Sequence, residues 1–165
     1  MNKIPLFVAF CIYTSMSHAV DLNLKYGVGF GMTGQQNMSE VKYLSLGVQT
    51  NIPNSLFRTK FDFGAWFDTR ENDTLRKSSF FASPAIGLRV EPGYFYVENY
   101  LGIAYVDKPD SQLGIPFEFT EEFGIGVKDS QGRFTGVQWK HFSNAGISLV
   151  NKGRDFLLVN IGVPL

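Results

Sequence analysis

Eight segments of this chain alternate, residue by residue, between bulky apolar side chains and small or polar ones. An extended strand turns successive side chains to opposite faces, so alternation of this kind marks β-strands with one greasy face and one polar face. In residues 22–32 the first face carries Leu22, Leu24, Tyr26, Val28, Phe30 and Met32 against Asn23, Lys25, Gly27, Gly29 and Gly31. In residues 57–68, Phe57, Phe61, Phe63, Ala65 and Phe67 oppose Arg58, Lys60, Asp62, Gly64, Trp66 and Asp68, which places both charge signs on the face without phenylalanine. Residues 42–52, 79–91, 93–106, 116–128 and 132–143 repeat the pattern. Residues 155–165 end it with Leu157, Val159, Ile161, Val163 and Leu165 on one side.

Alternation does not say which face is inside. A soluble, lipocalin-like barrel would bury the apolar face and turn its charges to water. Size favours the reverse arrangement, because about five large side chains per strand overfill an eight-stranded lumen, whereas glycine, serine and a few paired charges fit one. The expected fold is all-β: an eight-stranded antiparallel transmembrane β-barrel of the outer membrane, closed so that no strand edge is left unpaired in hydrocarbon. Connection lengths agree. Residues 51–55, 92–93 and 129–132 form short turns at one end, and residues 34–40, 68–77, 107–115 and 144–154 form longer loops at the other, as periplasmic turns and external loops do.

The N-terminus reads as an export signal. Lys3 supplies a positive start, residues 4–16 are mostly apolar, and Ser17, His18 and Ala19 place small residues at a cleavage site. Residues 1–19 are then a signal peptide and residues 20–165 a single barrel domain. The apolar run is too short for a membrane-spanning helix. The only cysteine, Cys11, lies in the signal, so the exported chain is expected to have neither a disulfide nor a thiolate metal site. Lysine plus arginine and aspartate plus glutamate number 15 each, and removing Lys3 leaves 14 basic against 15 acidic. A near-neutral chain argues against nucleic acid as a partner. No spacing of histidines and carboxylates suggests a metal, and no cofactor is expected.

Polar residues on the lipid side break the pattern. By the parity of residues 132–143, Thr135, Val137 and Trp139 face lipid, and so do His141 and Ser143 at the end leading into an external loop. Residues two apart on a strand have Cα atoms roughly 6–7 Å apart on one face, within reach of an imidazole–hydroxyl hydrogen bond. Histidine can then take the serine proton as general base. A carboxylate is needed to orient the ring, and two share the outward parity. Asp155 opens the last strand across the external loop, and Glu121 falls opposite His141 if the turn at 130–132 sets the register. The alternative for all of these is ordinary polar residues at a membrane boundary. Asn99, also outward, is expected at a strand distortion.

His141-Phe142-Ser143-Asn144-Ala145-Gly146, followed by Asn151, Gly153 and Asp155, resembles the C-terminal signature of the PagL-type lipid A 3-O-deacylases. The resemblance implies an outer-membrane serine esterase with a lipid-facing site that removes the 3-position acyl chain of lipid A in lipopolysaccharide. It makes Ser143 the nucleophile, His141 the base, and Asp155 the occupant of a position where the family commonly has glutamate. Asn144 and Asn151 match asparagines near the site, and the N–H groups of Ala145 and Gly146 lie where an oxyanion hole would form. The chain departs from the usual aromatic C-terminus of outer-membrane barrels, ending Val163-Pro164-Leu165. Arg70, Arg76, Lys77, Lys108, Lys152 and Arg154, in or beside the external loops, are either phosphate partners or solvated charges. Competing readings are a non-enzymatic adhesin or tether, and a phospholipase or acyltransferase on the same scaffold. The sequence does not choose between a monomer and a homodimer.

Overall fold

The computed structural model describes residues 20–30, 41–68, 78–109, 113–150 and 152–165. The signal segment, Asn151, Arg70, Arg76 and Lys77 lie outside these residues. Eight strands follow in order: β1 Val20–Phe30, β2 Val41–Asn51, β3 Phe57–Asp68, β4 Ser78–Val90, β5 Phe95–Val106, β6 Phe117–Lys128, β7 Phe134–Ser143 and β8 Arg154–Pro164. Each pairs antiparallel with the next, and β8 returns to β1 to close the barrel. The last backbone bond of this seam runs from Leu165 N–H to the Val20 carbonyl at 2.8 Å. All eight expected strands are present, with ends displaced by no more than two residues. β3 matches at both ends.

The bulky face is outside. Leu46, Phe63, Leu101, Ile103, Ile125 and Val159 are among a belt of apolar side chains left exposed around the wall, an arrangement that hydrocarbon favours and water does not. Tyr94, Phe95 and Phe57 are exposed at the end of the short turns, and Tyr105 and Phe117 form an edge-on ring pair at the other end, with centroids 5.5 Å apart. The short turns are built from local hydrogen bonds. In residues 129–133, Asp129 Oδ1 accepts from the Gln131 and Arg133 N–H groups at 2.9 and 3.0 Å, and Gly132 supplies a φ of 80°.

The lumen is fuller than its glycines suggest. At the end of the longer connections Tyr43, Trp66, Phe81, Phe142, Phe156 and Leu158 pack into an apolar plug, joined by Leu113 from the β5–β6 loop. Below it lies a buried charge layer. Lys25 Nζ donates to Asp62 Oδ2 at 2.9 Å and to Glu122 Oε1 at 3.0 Å, Lys140 Nζ donates to Asp62 Oδ2 at 2.8 Å, and Lys60 pairs with Glu122. Nearer the short turns, Arg89 lies over the rings of Tyr96 and Phe134 at 3.9 and 4.4 Å. The lumenal glycines there act as sockets. A Cβ on Gly136 would sit 2.2 Å from the Tyr96 hydroxyl, and one on Gly162 2.0 Å from the Phe134 ring. Large lumenal rings and small residues are therefore complementary features of one packing.

One expectation is corrected. Asn99 is not at a distortion: it pairs in register with Leu88 and with Phe123, and its side-chain amide donates to the Glu122 carbonyl at 3.2 Å. The β4–β5 ladder is interrupted instead around Pro84, which has no N–H to donate.

Candidate active site

β7 and β8 pair so that His141 stands directly opposite Asp155. Both belong to the outward face, and the hairpin register brings them into contact without any contribution from the loop between them. The His141 Nδ1–H donates to Asp155 Oδ1 at 2.9 Å. An ionised carboxylate only accepts, so this contact puts the ring proton on Nδ1 and leaves the Nε2 lone pair available on the far side.

A second donor reaches the same oxygen. The Trp139 indole N–H donates to Asp155 Oδ1 at 2.9 Å, and its ring stacks on the imidazole with centroids 5.8 Å apart and planes 23° apart. Asp155 is thereby almost fully covered although it faces outward: its side chain is 10% exposed against 29% for His141. The indole both satisfies the acid and holds the ring plane. Sequence reasoning put Trp139 on the lipid face but gave it no role. The available signal was a hydrogen-bond donor at the same parity, two residues from the histidine.

Gly153 closes the other side of the ring. It has a φ of 69°, and a Cβ there would lie 2.7 Å from His141 Cε1 and 3.3 Å from Nε2. Only glycine leaves the imidazole its position, and the left-handed backbone also favours glycine.

Ser143 is the next outward residue of β7 beyond His141 and pairs with Phe119 of β6. Among the described residues its hydroxyl makes no hydrogen bond. Ser143 and His141 share one strand face, two residues apart. Glu121 is where the expected turn register placed it, opposite His141 across β6–β7, but the imidazole donates its N–H to Asp155 on the other side.

The loop after Ser143 is organised by Asn144, which is fully buried. Its amide donates to the carbonyls of Leu113 and Val150 at 2.6 and 2.7 Å, while its Oδ1 accepts from the Gly146 N–H at 3.0 Å. Asn144 therefore ties the β7–β8 loop to the β5–β6 loop. In this arrangement its amide and the Gly146 N–H are both engaged. Ala145 sits at the bend with a φ of 52°. Among the loop cations, Lys108 and Lys152 are exposed, whereas Arg154 is buried at the barrel mouth with its partners.

The family described as Lipid A 3-O-deacylase (PagL) matches residues 22–164, the whole barrel. The chain belongs to this family. A lipid A deacylase PagL from Bordetella bronchiseptica is 32% identical over 66 residues, a match spanning 38% of this chain and 37% of the length of that relative. The crystal structure of the outer membrane enzyme PagL superimposes with a TM-score of 0.67 at 20% identity, covering 88% of this chain and 99% of that one. Neisserial surface protein A superimposes with a TM-score of 0.53 at 12% identity, over 88% of this chain and 96% of its own. The two superpositions speak to the barrel alone. The assignment to the PagL family therefore rests on the sequence match.

Proposed function

We propose that this barrel is an outer-membrane serine esterase that hydrolyses the 3-position acyl ester of lipid A and releases a 3-hydroxy fatty acid. The observation that carries the reading is the 2.9 Å contact between His141 Nδ1 and Asp155 on the lipid-facing wall, with Ser143 next on the same strand face. Membership of the PagL family supports the substrate class, and exposure of the site to the membrane suits an ester already embedded in the outer leaflet.

In this mechanism Ser143 Oγ attacks the ester carbonyl while His141 Nε2 takes its proton. Asp155 stabilises the imidazolium without itself taking the proton. The tetrahedral oxyanion is met by loop amides, chiefly that of Ala145, which the Asn144 scaffold holds beside Ser143. Collapse expels the sugar 3-oxygen, which takes the proton from His141. Water, deprotonated by the same imidazole, then attacks the acyl-enzyme and frees the fatty acid. Lys108 and Lys152 flank the external loops, where lipid A phosphates would lie. Export is proposed to remove residues 1–19.

Mass spectrometry of lipid A from cells expressing the wild-type chain or Ser143→Ala tests the reading. Loss of one 3-hydroxyacyl unit with the wild type and not with the variant is expected. An unchanged lipid A from cells with folded wild-type barrel would overturn it and leave an adhesin or tether in its place.

A further inference from the structure

The triad leaves one carboxylate beside the imidazole unused. Glu121 stands across from His141 on the side opposite Asp155. It is exposed on the outward face, and among the described residues it has no hydrogen bond or ion pair. Its neighbours are Phe119 and Phe123 on its own strand face and Leu101 across β5–β6, all exposed to lipid. The outward faces of β5, β6 and β7 carry no lysine or arginine to neutralise it. An ionisable side chain on a hydrocarbon-facing wall is costly, and such residues mark functional positions.

Glu121 does not orient the imidazole, since Asp155 holds Nδ1. Directly opposed residues have Cβ atoms about 4.5–5.5 Å apart, so the carboxylate reaches the space in front of His141 and Ser143. A carboxyl group has an oxygen that can accept a hydrogen bond, and among the described residues no donor reaches Glu121. We propose that Glu121 is a specificity residue, accepting a hydrogen bond from a neutral donor beside the scissile ester. Two groups of the substrate offer this chemistry: the hydroxyl on the third carbon of the acyl chain, and the amide N–H on the neighbouring sugar carbon. The inference rests on the proposed esterase activity and adds the basis of its selectivity. A site built to bond a donor rejects an analogue lacking it, because its own acceptor is left desolvated and unpaired.

The test uses the full barrel folded in detergent–phospholipid micelles. Its substrates are 3-O-acylated glucosamines in two matched comparisons: 3-hydroxyacyl against plain acyl at position 3, and an N–H amide against an N-methyl amide at position 2. Wild type, Glu121→Leu and Glu121→Gln are compared by kcat/KM. Wild type is expected to favour the donor-bearing member of one pair. In Glu121→Leu that ratio falls on the order of tenfold or more, with the larger loss on the donor-bearing ester, and the pair that responds identifies the donor. Glu121→Gln retains an acceptor oxygen and is expected to keep the ratio within about threefold. Unchanged ratios in Glu121→Leu, or equal losses on both members of each pair, would overturn the proposal. A folded wild type that cleaves none of the esters would overturn the esterase reading and this one with it.

Discussion

Glu121 and Glu122 are adjacent on β6, as Lys140 and His141 are on β7, yet they serve two unlike regions. Glu122 and Lys140 point into the lumen and join Lys25, Lys60 and Asp62 in a layer sealed from solvent, where each charged group has an oppositely charged partner. Glu121 and His141 point into the membrane, where the imidazole shares one acid with an indole and the second carboxylate has no described partner. A charge buried inside the wall must be matched, because removing one partner strands the other in low dielectric. A charge on the outer wall survives unmatched only at a cost, and that cost points to chemistry. The same alternation that builds the barrel thus separates the charges matched in the lumen from those on the outer wall, to which we assign the chemistry.

The sharpest way to break this division is to remove the groups proposed to react. Ser143→Ala or His141→Ala is expected to lower deacylation on the order of 10⁴-fold or more while leaving thermal unfolding of the barrel unchanged; a large fall in stability would make these residues structural. The reciprocal change is Asp62→Ala. It leaves Lys25, Lys60 and Lys140 with Glu122 as the remaining carboxylate of the layer and is expected to destabilise the barrel by about 3–5 kcal/mol, with activity per folded molecule retained. Denaturant titration in micelles beside turnover measurements separates the two outcomes.

Smaller effects sharpen the comparison within the site. Gly153→Ala drives a methyl group against His141 Cε1, and displacing the ring by about 1 Å is expected to cost on the order of 10²-fold in kcat. Trp139→Phe keeps the ring stack but removes the N–H donated to Asp155. Losing one such hydrogen bond, about 1 kcal/mol, predicts a fall in kcat of several-fold without a matching change in unfolding.

The smallest effect lies at the far rim. Burial raises the Glu91 carboxyl, but the hydrogen bond from Lys128 and the Arg89 charge prevail and hold it below the usual carboxylate range. A lowered value means that its stabilising contribution is present above the unfolded pKa and is lost as pH falls through the folded one. Acid should therefore loosen the periplasmic rim in wild type, and Glu91→Gln should remove that part of the acid dependence of unfolding.

Much of this was legible in the sequence because a period of two is a strict code. One residue of slip would turn every phenylalanine of β3 inward, so the alternation set strand number and the two faces, and side-chain size set which face is outside. The expected register also placed Glu121 across from His141, and the hairpin placed Asp155 close to the site. Other features depend on three-dimensional neighbours. The lumenal glycines read as space, and only the packed barrel shows that the rings of Tyr96 and Phe134 fill that space from other strands. Asn144 resembled a site asparagine, but its buried amide is used to join two loops. The role of Trp139 depended on side-chain direction, which parity restricts to a face without choosing a partner. The Asn99 expectation failed because an outward polar residue was read as an irregularity, whereas the backbone carbonyl of Glu122 satisfies its amide within a regular ladder.

The central claim is that the hydrolytic groups open sideways into the bilayer. Its most direct test reconstitutes the folded barrel in phospholipid vesicles with isotopically distinct lipid A either in the same membrane or in separate vesicles, and follows free 3-hydroxy fatty acid by mass spectrometry. Release from lipid A sharing the membrane, with little from separate vesicles, is predicted. Equal release from both pools would contradict a lipid-facing site.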